Sequence, residues 1–333
     1  MTQVLTVTAP TAAAGIETPA SGVSMVSPGR RRLGESDLRV FPLALSGNVF
    51  GWTADNDTTE GILDSYRDRG GNFIDTADSY AGGRSELMIG NWMRRRHDRA
   101  DIVVATKVGK SAENPGVSES AIGRAVDASL ARLQTDYIDL LYLHIDDATV
   151  PFEETLYAAD EQVRAGKVRF LGVADHSGNR LVEARVLAAQ LELMPLVAAQ
   201  SHYNLVHRFS YEGTVARVAA QQRLGVMPRF ALAGGFLAGT YRSKADLRRG
   251  GRGSDAARYL NRQGLRILAS LDRIAAEHQV APATVAIAWL LTKPQVVAPV
   301  VSASRQDQVA DLVAAASLQL TRHQVGELDR VSG

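Results

Sequence analysis

Polar side chains close several of the apolar, β-branched segments of this 333-residue chain. They are Asp75, Lys107, His144 and Asp175, with Gln200 just before the end of a further segment. In a barrel of alternating strands and helices the active site lies at the carboxyl ends of the strands. The set therefore predicts a polar cluster on one rim, although each member taken alone is equally typical of a cap or a turn.

Tyr80 lies five residues after Asp75, and a loop of that length can bring its phenol back over the barrel mouth. A phenol has a reference pKa of about 10, so it is a weak acid at neutral pH. An ammonium beside it, that of Lys107, would favour the phenolate, and Asp75 would balance the buried ammonium. With His144 donating a hydrogen bond to a substrate oxygen, the four residues predict a proton donor for a carbonyl oxygen that becomes an alkoxide.

Alternating strand-like and helical segments would position these residues. The predicted strands are Pro42–Ser46, Asn72–Asp75, Ile102–Lys107, Ile138–Leu143, Val168–Ala174, Val197–Ser201, Val226–Phe230 and Val297–Ser302. A short hairpin, Arg31–Phe41, precedes them with a turn at Gly34–Asp37. Eight such units fit an α/β fold of the closed (β/α)8 TIM-barrel type better than an open sheet.

Helices are predicted at Thr58–Arg69, Ser85–Arg96, Ser118–Leu133, Phe152–Ala165, Asn179–Leu191, Gly213–Arg223, Asn261–Gln279 and Gln306–Ala315, with an extra C-terminal helix at Thr321–Val331. The polar, glycine-rich segment 241–259 is predicted to be a long loop after the seventh strand. Residues 1–28 are predicted to form a disordered N-terminal tail, and residues 29–333 a single barrel domain.

Composition excludes several classes of protein. The 45% hydrophobic and 22% charged content is ordinary for a soluble globular chain, and the net charge of +1 argues against a dedicated nucleic-acid binder. Absence of cysteine rules out disulfides and thiolate metal sites, which fits a cytoplasmic protein. No apolar run reaches the ~18 residues of a membrane span. His202 and His207 lack carboxylates at ligand spacing, so no metal site is predicted.

Several motifs occur in an order that matches one family. They are Arg32–Val40, Asn72–Tyr80, Val104–Lys107, Asp136–His144, Val168–Val173, Gln200 with Tyr203–Leu205, and Leu232–Gly239. On these residues the chain, from about Arg31 to its C-terminus, resembles the aldo-keto reductases. The resemblance implies a (β/α)8 barrel and a catalytic tetrad of Asp75, Tyr80, Lys107 and His144, with Tyr80 as the acid.

The same resemblance implies a nicotinamide cofactor, NADPH with NADH as the alternative, that passes hydride to an aldehyde or ketone. The expected partner is therefore a small-molecule carbonyl substrate, with neither nucleic acid nor membrane, and a homo-oligomer is left open. Because relatives of these reductases serve as channel subunits, the alternative is a cofactor-binding regulatory or scaffold subunit with vestigial chemistry.

Departures from the family pattern concern the cofactor. Where the family has Ser-Asn to hold the nicotinamide carboxamide, this chain has Ala174 and Asp175. Where the family has a stacking Tyr followed by Ser, the chain has Arg229 and Phe230. Arg229 is left with two alternatives, to lie flat on the ring or to reach the pyrophosphate. Only Arg305 offers a positive charge to a 2′-phosphate.

The residues expected at the cofactor share positions at strand ends and in the loops after them. They are Gly47, Asn48, Asp75, Ala174, Asp175, Gln200, Arg229, Phe230, Leu232, Gly234, Leu237, Gly239, Ser302, Ser304, Arg305, Gln308 and Asp311. The residues expected at the substrate are Asn48, Trp52, Tyr80, His144 and Tyr203.

Overall fold

The computed structural model describes residues 28–248 and 253–333, so the predicted tail at 1–28 lies outside the described residues except for Pro28. Two strands, β1 (Arg31–Arg32) and β2 (Arg39–Val40), pair antiparallel as the predicted hairpin. The other strands of the described residues are β3 (Ala44–Ser46), β4 (Phe73–Asp75), β5 (Val103–Val108), β6 (Ile138–Leu143), β7 (Val168–Ala174), β8 (Leu196–His202), β9 (Gly225–Arg229) and β10 (Val300–Val301).

Strands β3 to β10 form one parallel sheet that curls into a barrel. Their order is β10-β3-β4-β5-β6-β7-β8-β9. The edges meet where the Val297 N–H donates to the Val226 carbonyl over 2.9 Å, just before β10. The predicted (β/α)8 barrel is therefore confirmed, and the carboxyl ends of its strands share one rim.

The hairpin covers the amino-terminal end of the barrel. Leu33, Leu38 and Val40 are buried in one apolar cluster with side chains from the strands. The predicted turn is present, and Gly34 (φ +52°) has a structural reason to be glycine, since a Cβ there would lie 2.1 Å from the Val197 carbonyl oxygen. With this end sealed, the opposite mouth is the face on which the predicted site residues end.

The helices of the described residues surround the sheet. They are α1 (Asn56–Asp68), α2 (Arg84–Arg96), α3 (Glu119–Leu133), α4 (Phe152–Arg164), α5 (Gly178–Gln190), α6 (Thr214–Gln221), α7 (Gly253–Ala257), α8 (Arg262–His278), α9 (Pro282–Leu291), α10 (Gln308–Ala314) and α11 (Arg322–Ser332). Among them no single helix is long and apolar enough to cross a membrane, and only α8 and α9 taken together, across a bend of 96°, meet that test.

Three helical features differ from the sequence prediction. Helix α1 begins two residues early because the Asp55 carboxylate caps it, accepting from the Thr58 N–H over 2.9 Å. Helix α9 was not predicted, since it is apolar on nearly all faces and has no amphipathic period. The predicted loop 241–259 contains α7, although residues 249–252 lie outside the described range.

Candidate active site

A buried ion pair joins the ends of β4 and β5. Lys107 Nζ lies 2.7 Å from Asp75 Oδ2 and also donates to the Thr76 carbonyl over 2.8 Å. Lys107 is 0% and Asp75 1% exposed. A charge can be buried at this depth only when it is paired and hydrogen-bonded. The proximity expected from the sequence is thus present, and the pair is the electrostatic centre of the mouth.

Tyr80 and His144 complete the expected cluster. Tyr80 begins a 3₁₀ turn, Tyr80–Gly83, and the centre of its ring lies 5.1 Å from Lys107 Nζ. The rings of Tyr80 and His144 meet edge to face, with centroids 6.4 Å apart. His144 directly follows β6, where its N–H donates to the Val108 carbonyl over 3.0 Å. All four residues therefore converge on the carboxyl ends of three neighbouring strands.

The protonation of Tyr80 differs from the sequence expectation. Burial raises the pKa of Tyr80, and the positive charge of Lys107 only partly opposes that rise. Lys107 stays charged, because burial lowers its pKa but Asp75 and the Tyr80 oxygen raise it by more. Lys107 favours the phenolate as expected, but burial outweighs that effect and the pKa of Tyr80 is raised. The phenol is a protonated donor beside a permanent cation.

His144 is held as a neutral imidazole. Burial lowers its pKa to about 2, assisted by the positive charges of Lys107, Lys110 and Arg229. Its Nδ1 is buried without a hydrogen-bond partner among the described residues. Because buried polar atoms are rarely unpaired, this edge of the ring is suited to a bound ligand. A neutral imidazole carries one N–H and can donate a hydrogen bond without transferring a full charge.

Gln200, near the end of β8, is hydrogen-bonded to the same cluster. Its Nε2 donates to Asp75 Oδ1 over 2.9 Å, and the residue is 2% exposed. Ala174 of β7 pairs with Gln200 in the sheet register and is equally buried. Asp75 engages one of the two amide hydrogens, so Gln200 can offer a ligand its carbonyl oxygen and the remaining N–H.

The two departures from the family pattern contact each other. Arg229 Nε donates to Asp175 Oδ1 over 2.8 Å, and its second nitrogen lies 2.7 Å from Oδ2. Asp175 has a left-handed backbone (φ +58°), which aspartate tolerates better than most residues, and its N–H donates to the Gln200 carbonyl. Strand β8 separates the two, so this bidentate pair bridges the mouth, about one third exposed on each side.

Phe230 and two histidines form an aromatic stack beside this pair. The rings of His202 and His207 are 3.7 Å apart and nearly parallel, at 12°. Phe230 lies 5.1 Å from His202 and packs under the Arg229 guanidinium at 4.7 Å. Burial, followed by the charge of His207, lowers the pKa of His202 to about 4. In the described residues no three His, Asp or Glu side chains are grouped as a metal site would need.

Residues after β3 form another part of the rim. Gly47 is packed so closely that a Cβ would lie 2.3 Å from Ser85 Oγ. The next residue, Asn48, has a buried Oδ1 with no hydrogen-bond partner in the described residues. Trp52 is 61% exposed on the loop that follows. Asn48 thus offers an unpaired acceptor at the rim, and the ligand-binding roles of the three residues stay predictions.

Tyr203 lies in a different layer from the predicted substrate-binding residues. It is 1% exposed, its hydroxyl donates to Glu212 over 2.7 Å, and its ring lies 5.5 Å from that of Trp289 in α9. Tyr203 is three positions after Gln200, and an odd separation along extended chain reverses the side-chain direction. It therefore faces the helices and does not belong to the substrate-binding set.

The loop after β9 contains two glycines with left-handed backbone and a leucine whose side chain is buried. Gly234 (φ +68°) and Gly239 (φ +78°) adopt left-handed conformations, and Leu232 is partly buried between them and the strand. Leu237 is fully buried, so its side chain is withheld from any ligand. The N–H groups of Ala233, Gly235 and Leu237 already donate to carbonyls of the same loop.

The segment after β10 is organised by one amide. Gln308 Oε1 accepts from the backbone N–H groups of Ser304 and Arg305, over 2.9 and 3.3 Å. The Arg305 guanidinium is exposed but already pairs with Asp307, a residue that the sequence analysis did not include. Asp311 accepts from Thr284 Oγ1 through its carbonyl. Ser302 follows β10 directly, so the segment starts at the rim.

Asp78 is a buried carboxyl that sequence reasoning missed, although its position two residues before Tyr80 was a signal. It is 1% exposed, and neither carboxyl oxygen has a hydrogen-bond partner by distance and angle in the described residues. Burial, assisted by the charge of Glu86, raises its pKa to about 7, while Arg132 and the backbone of Gly109 and Ser79 oppose the rise. Its own N–H donates to the Lys107 carbonyl over 3.1 Å, which ties it to the tetrad.

This carboxyl makes stability fall with rising pH. Its folded pKa of about 7 exceeds the unfolded value of 3.8, so the folded state holds the proton more tightly between these values. The free energy of unfolding therefore falls as the pH rises from the unfolded to the folded pKa, by at most about 4 kcal/mol in total. We expect Asp78→Asn to lose less stability than wild type between about pH 5 and about pH 8, measured by urea unfolding. Equal losses would contradict the shift.

Comparison with known proteins places this chain in a family. Residues 44–332 match the family described as "Aldo/keto reductase family". The chain is 34% identical to the uncharacterized oxidoreductase YrpG of Bacillus subtilis, over 87% of this chain and 91% of that protein. It is 31% identical to norsolorinic acid reductase of Aspergillus flavus (88% and 78%). It is 33% identical to a probable voltage-gated potassium channel subunit beta of Oryza sativa subsp. japonica (84% and 89%). The chain belongs to the aldo/keto reductase family.

Proposed function

We propose that this protein reduces an aldehyde or ketone to an alcohol with NADPH, and that Tyr80 is the general acid. The observation that carries the proposal is the buried Lys107–Asp75 pair at 2.7 Å, placed beside the Tyr80 ring. A buried cation next to a phenol stabilises negative charge that develops there. Reduction of a carbonyl supplies that charge at the oxygen atom.

Family membership supports carbonyl reduction in general, and relatives with oxidoreductase names support an enzyme. A further relative is named "Aryl-alcohol dehydrogenase GME11368" of Pestalotiopsis microspora, 30% identical over 91% of this chain and 82% of that protein. Aromatic aldehydes are therefore suitable first substrates for an assay.

The residues of the mouth fit a nicotinamide. Two buried polar atoms there, Asn48 Oδ1 and His144 Nδ1, lack partners in the described residues. Gln200 has its carbonyl oxygen to offer a carboxamide NH₂, and the third nitrogen of Arg229 is left to donate to the carboxamide oxygen. In this proposal the Asp175–Arg229 pair replaces the family's Ser-Asn hold on the cofactor.

The far end of the cofactor would lie on the segment after β10. Arg305 is exposed, and the amide of Gln308 fixes the backbone on which Arg305 sits. A 2′-phosphate would compete with Asp307 for the guanidinium, because both are anions suited to bidentate contact. This single arginine favours NADPH over NADH.

Bound reduced nicotinamide supplies the hydride. The chain then provides the proton, from the Tyr80 hydroxyl, which burial keeps protonated. Lys107 stabilises the phenolate that remains, and Asp75 keeps that ammonium charged within the apolar core. The neutral His144 donates a hydrogen bond that orients the carbonyl oxygen toward Tyr80. Proton donation and charge stabilisation therefore come from four residues that are fixed before substrate binds.

The direct test is a single-turnover experiment. Protein saturated with NADPH is mixed with a panel of aromatic and aliphatic aldehydes, and loss of the reduced-nicotinamide absorbance is followed. We expect a burst of oxidation with at least one aldehyde and formation of the alcohol. Tight NADPH binding without oxidation by any member of a broad panel would contradict the proposal.

That negative outcome would favour a second function, a regulatory or scaffold subunit that binds the cofactor. The relatives named as potassium channel beta subunits and the altered Asp175–Arg229 pair are the observations behind this alternative. The same experiment therefore separates the two functions, since they differ in hydride transfer and not in cofactor binding.

The role given to Arg229 has its own test. We expect Arg229→Leu to weaken NADPH binding by about tenfold, because a charge-assisted contact to the carboxamide is lost and Asp175 is left unpaired. Fluorescence titration of the bound nicotinamide measures the dissociation constant. Arg223→Leu, which removes an exposed arginine paired with Glu35, serves as the control. Unchanged binding in Arg229→Leu would remove it from the cofactor site.

A further inference from the structure

Positive charge exceeds negative charge around His144. The charges of Lys107, Lys110 and Arg229 all act on its imidazole. Asp75 neutralises Lys107 at 2.7 Å, and Asp175 neutralises Arg229 through two contacts. Lys110 is left as the unbalanced charge among these groups, so the mouth carries a net positive charge beside the proposed reaction centre.

Lys110 is held near the mouth by an ordered loop. It lies three residues after Lys107, just beyond the end of β5. The loop closes where the Gly116 N–H donates to the Gly109 carbonyl over 3.0 Å. A Cβ on Gly109 would lie 3.2 Å from the side chain of Ile145, the residue after His144. The base of the lysine is therefore fixed against the segment after β6 that carries His144.

The Lys110 ammonium has no ion-pair or hydrogen-bond partner in the described part of the chain, whereas Lys107, Lys167 and Lys293 each contact an aspartate. Burial lowers its pKa, Asp175 opposes that fall, and Arg229 and Lys107 add to it. Asp175 is itself paired with Arg229, so Lys110 has no ion-pair partner of its own.

Carboxylates near this loop are already engaged elsewhere. Glu113 pairs with Arg132, and Asp146 pairs with Arg180. Asp147 accepts from both the N–H and the hydroxyl of Thr149. Glu113 and Asp146 are therefore already paired with arginines, and the exposed side chain of Lys110 is available to a ligand.

We propose that Lys110 binds a carboxylate carried by the carbonyl substrate, with Arg229 adding to the positive potential. The inference rests on the proposed function and narrows its substrate class to acidic aldehydes or ketones. An anion could also reach Lys110 as a phosphate of the cofactor. We assign the contact to the substrate, because the loop that carries Lys110 packs against Ile145, next to His144, which is given the carbonyl oxygen, whereas the 2′-phosphate is assigned to Arg305 after β10.

The test compares an acid with a neutral compound of the same shape. The kcat/KM values for 4-carboxybenzaldehyde and its methyl ester are measured in wild type, Lys110→Ala, Lys110→Glu and Lys110→Arg. We expect wild type to prefer the acid by about tenfold, Lys110→Ala to lose that preference, and Lys110→Glu to reverse it. Lys110→Arg should keep it. Lys167→Ala removes a lysine at the opposite end of the barrel and is the matched control.

Two further measurements distinguish a substrate contact of Lys110 from a cofactor contact. Calorimetric titration of 4-(hydroxymethyl)benzoate and its methyl ester, with and without NADP⁺, reports binding without turnover, and the acid should bind about tenfold tighter in wild type only. NADPH titration of the same variants detects a phosphate contact. The inference would be overturned if wild type bound the acid and the ester equally, or if Lys110→Ala kept the preference for the acid. It would also be overturned if the Lys110 variants bound NADPH more weakly while their acid-to-ester ratio stayed unchanged. Failure of every carbonyl to be reduced would instead count against the proposed function, and the calorimetry would still decide the role of Lys110.

Discussion

Tyr80→Phe is expected to lower kcat for aldehyde reduction by about 10²- to 10⁴-fold, the usual contribution of a positioned general acid. Phenylalanine retains the ring that lies edge to face with His144 and removes only the hydroxyl beside Lys107. The alkoxide would then have to take its proton from water. Steady-state kinetics with NADPH and the best aldehyde of the panel measure the effect.

A matched substitution shows that the loss is specific. Tyr157 belongs to α4 in the outer ring of helices and is 49% exposed, so Tyr157→Phe should keep wild-type kinetics. Fluorescence titration should show that Tyr80→Phe still binds NADPH, which assigns the loss to chemistry. Equal turnover in Tyr80→Phe and wild type would refute the acid role of Tyr80.

Lys107→Met is expected to lower the free energy of unfolding by about 3–5 kcal/mol and to remove most activity. Methionine has a similar length but no charge, so the Asp75 carboxylate stays buried without its ammonium. Breaking one side of a buried ion pair carries a penalty of about that size. Urea unfolding at neutral pH measures the stability, and the carbonyl assay measures the activity.

A double-mutant cycle identifies the cause of that loss. Adding Asp75→Asn should recover much of the stability of Lys107→Met, because it removes the unpaired charge, while activity stays low. Lys167→Met breaks an exposed pair with Asp127 and should change stability by at most about 1 kcal/mol. If Lys107→Met and Lys167→Met had the same unfolding midpoint, the buried pair would not have the role given to it here.

Much of the fold and of the tetrad could be predicted without coordinates. The predicted strands that end in Asp75, in Lys107 and just before His144 matched β4, β5 and β6 within about one residue at each end. Their periodicity is local, and the carboxyl ends of barrel strands necessarily share a rim. Helix α9 escaped prediction for the complementary reason, since a helix buried on most sides shows no period.

Interactions between distant residues could not be predicted. Asp175 and Arg229 were expected separately at the cofactor, but their pairing depends on β7 and β9 flanking β8. Tyr203 was expected at the substrate, and packing against Trp289 places it among the helices. The pKa of Tyr80 depends on how deeply the surrounding loops bury it, which no spacing reports.

The amino-acid order alone therefore determined which elements form and which chemical groups lie at the mouth of the barrel. Strand and helix periodicity depends only on residues that are close together in the sequence. The tertiary structure alone decided which of those groups are paired, buried or left charged. Pairing and burial are set by segments that are far apart in sequence, and Coulomb and desolvation energies follow from the distances at which the fold places them.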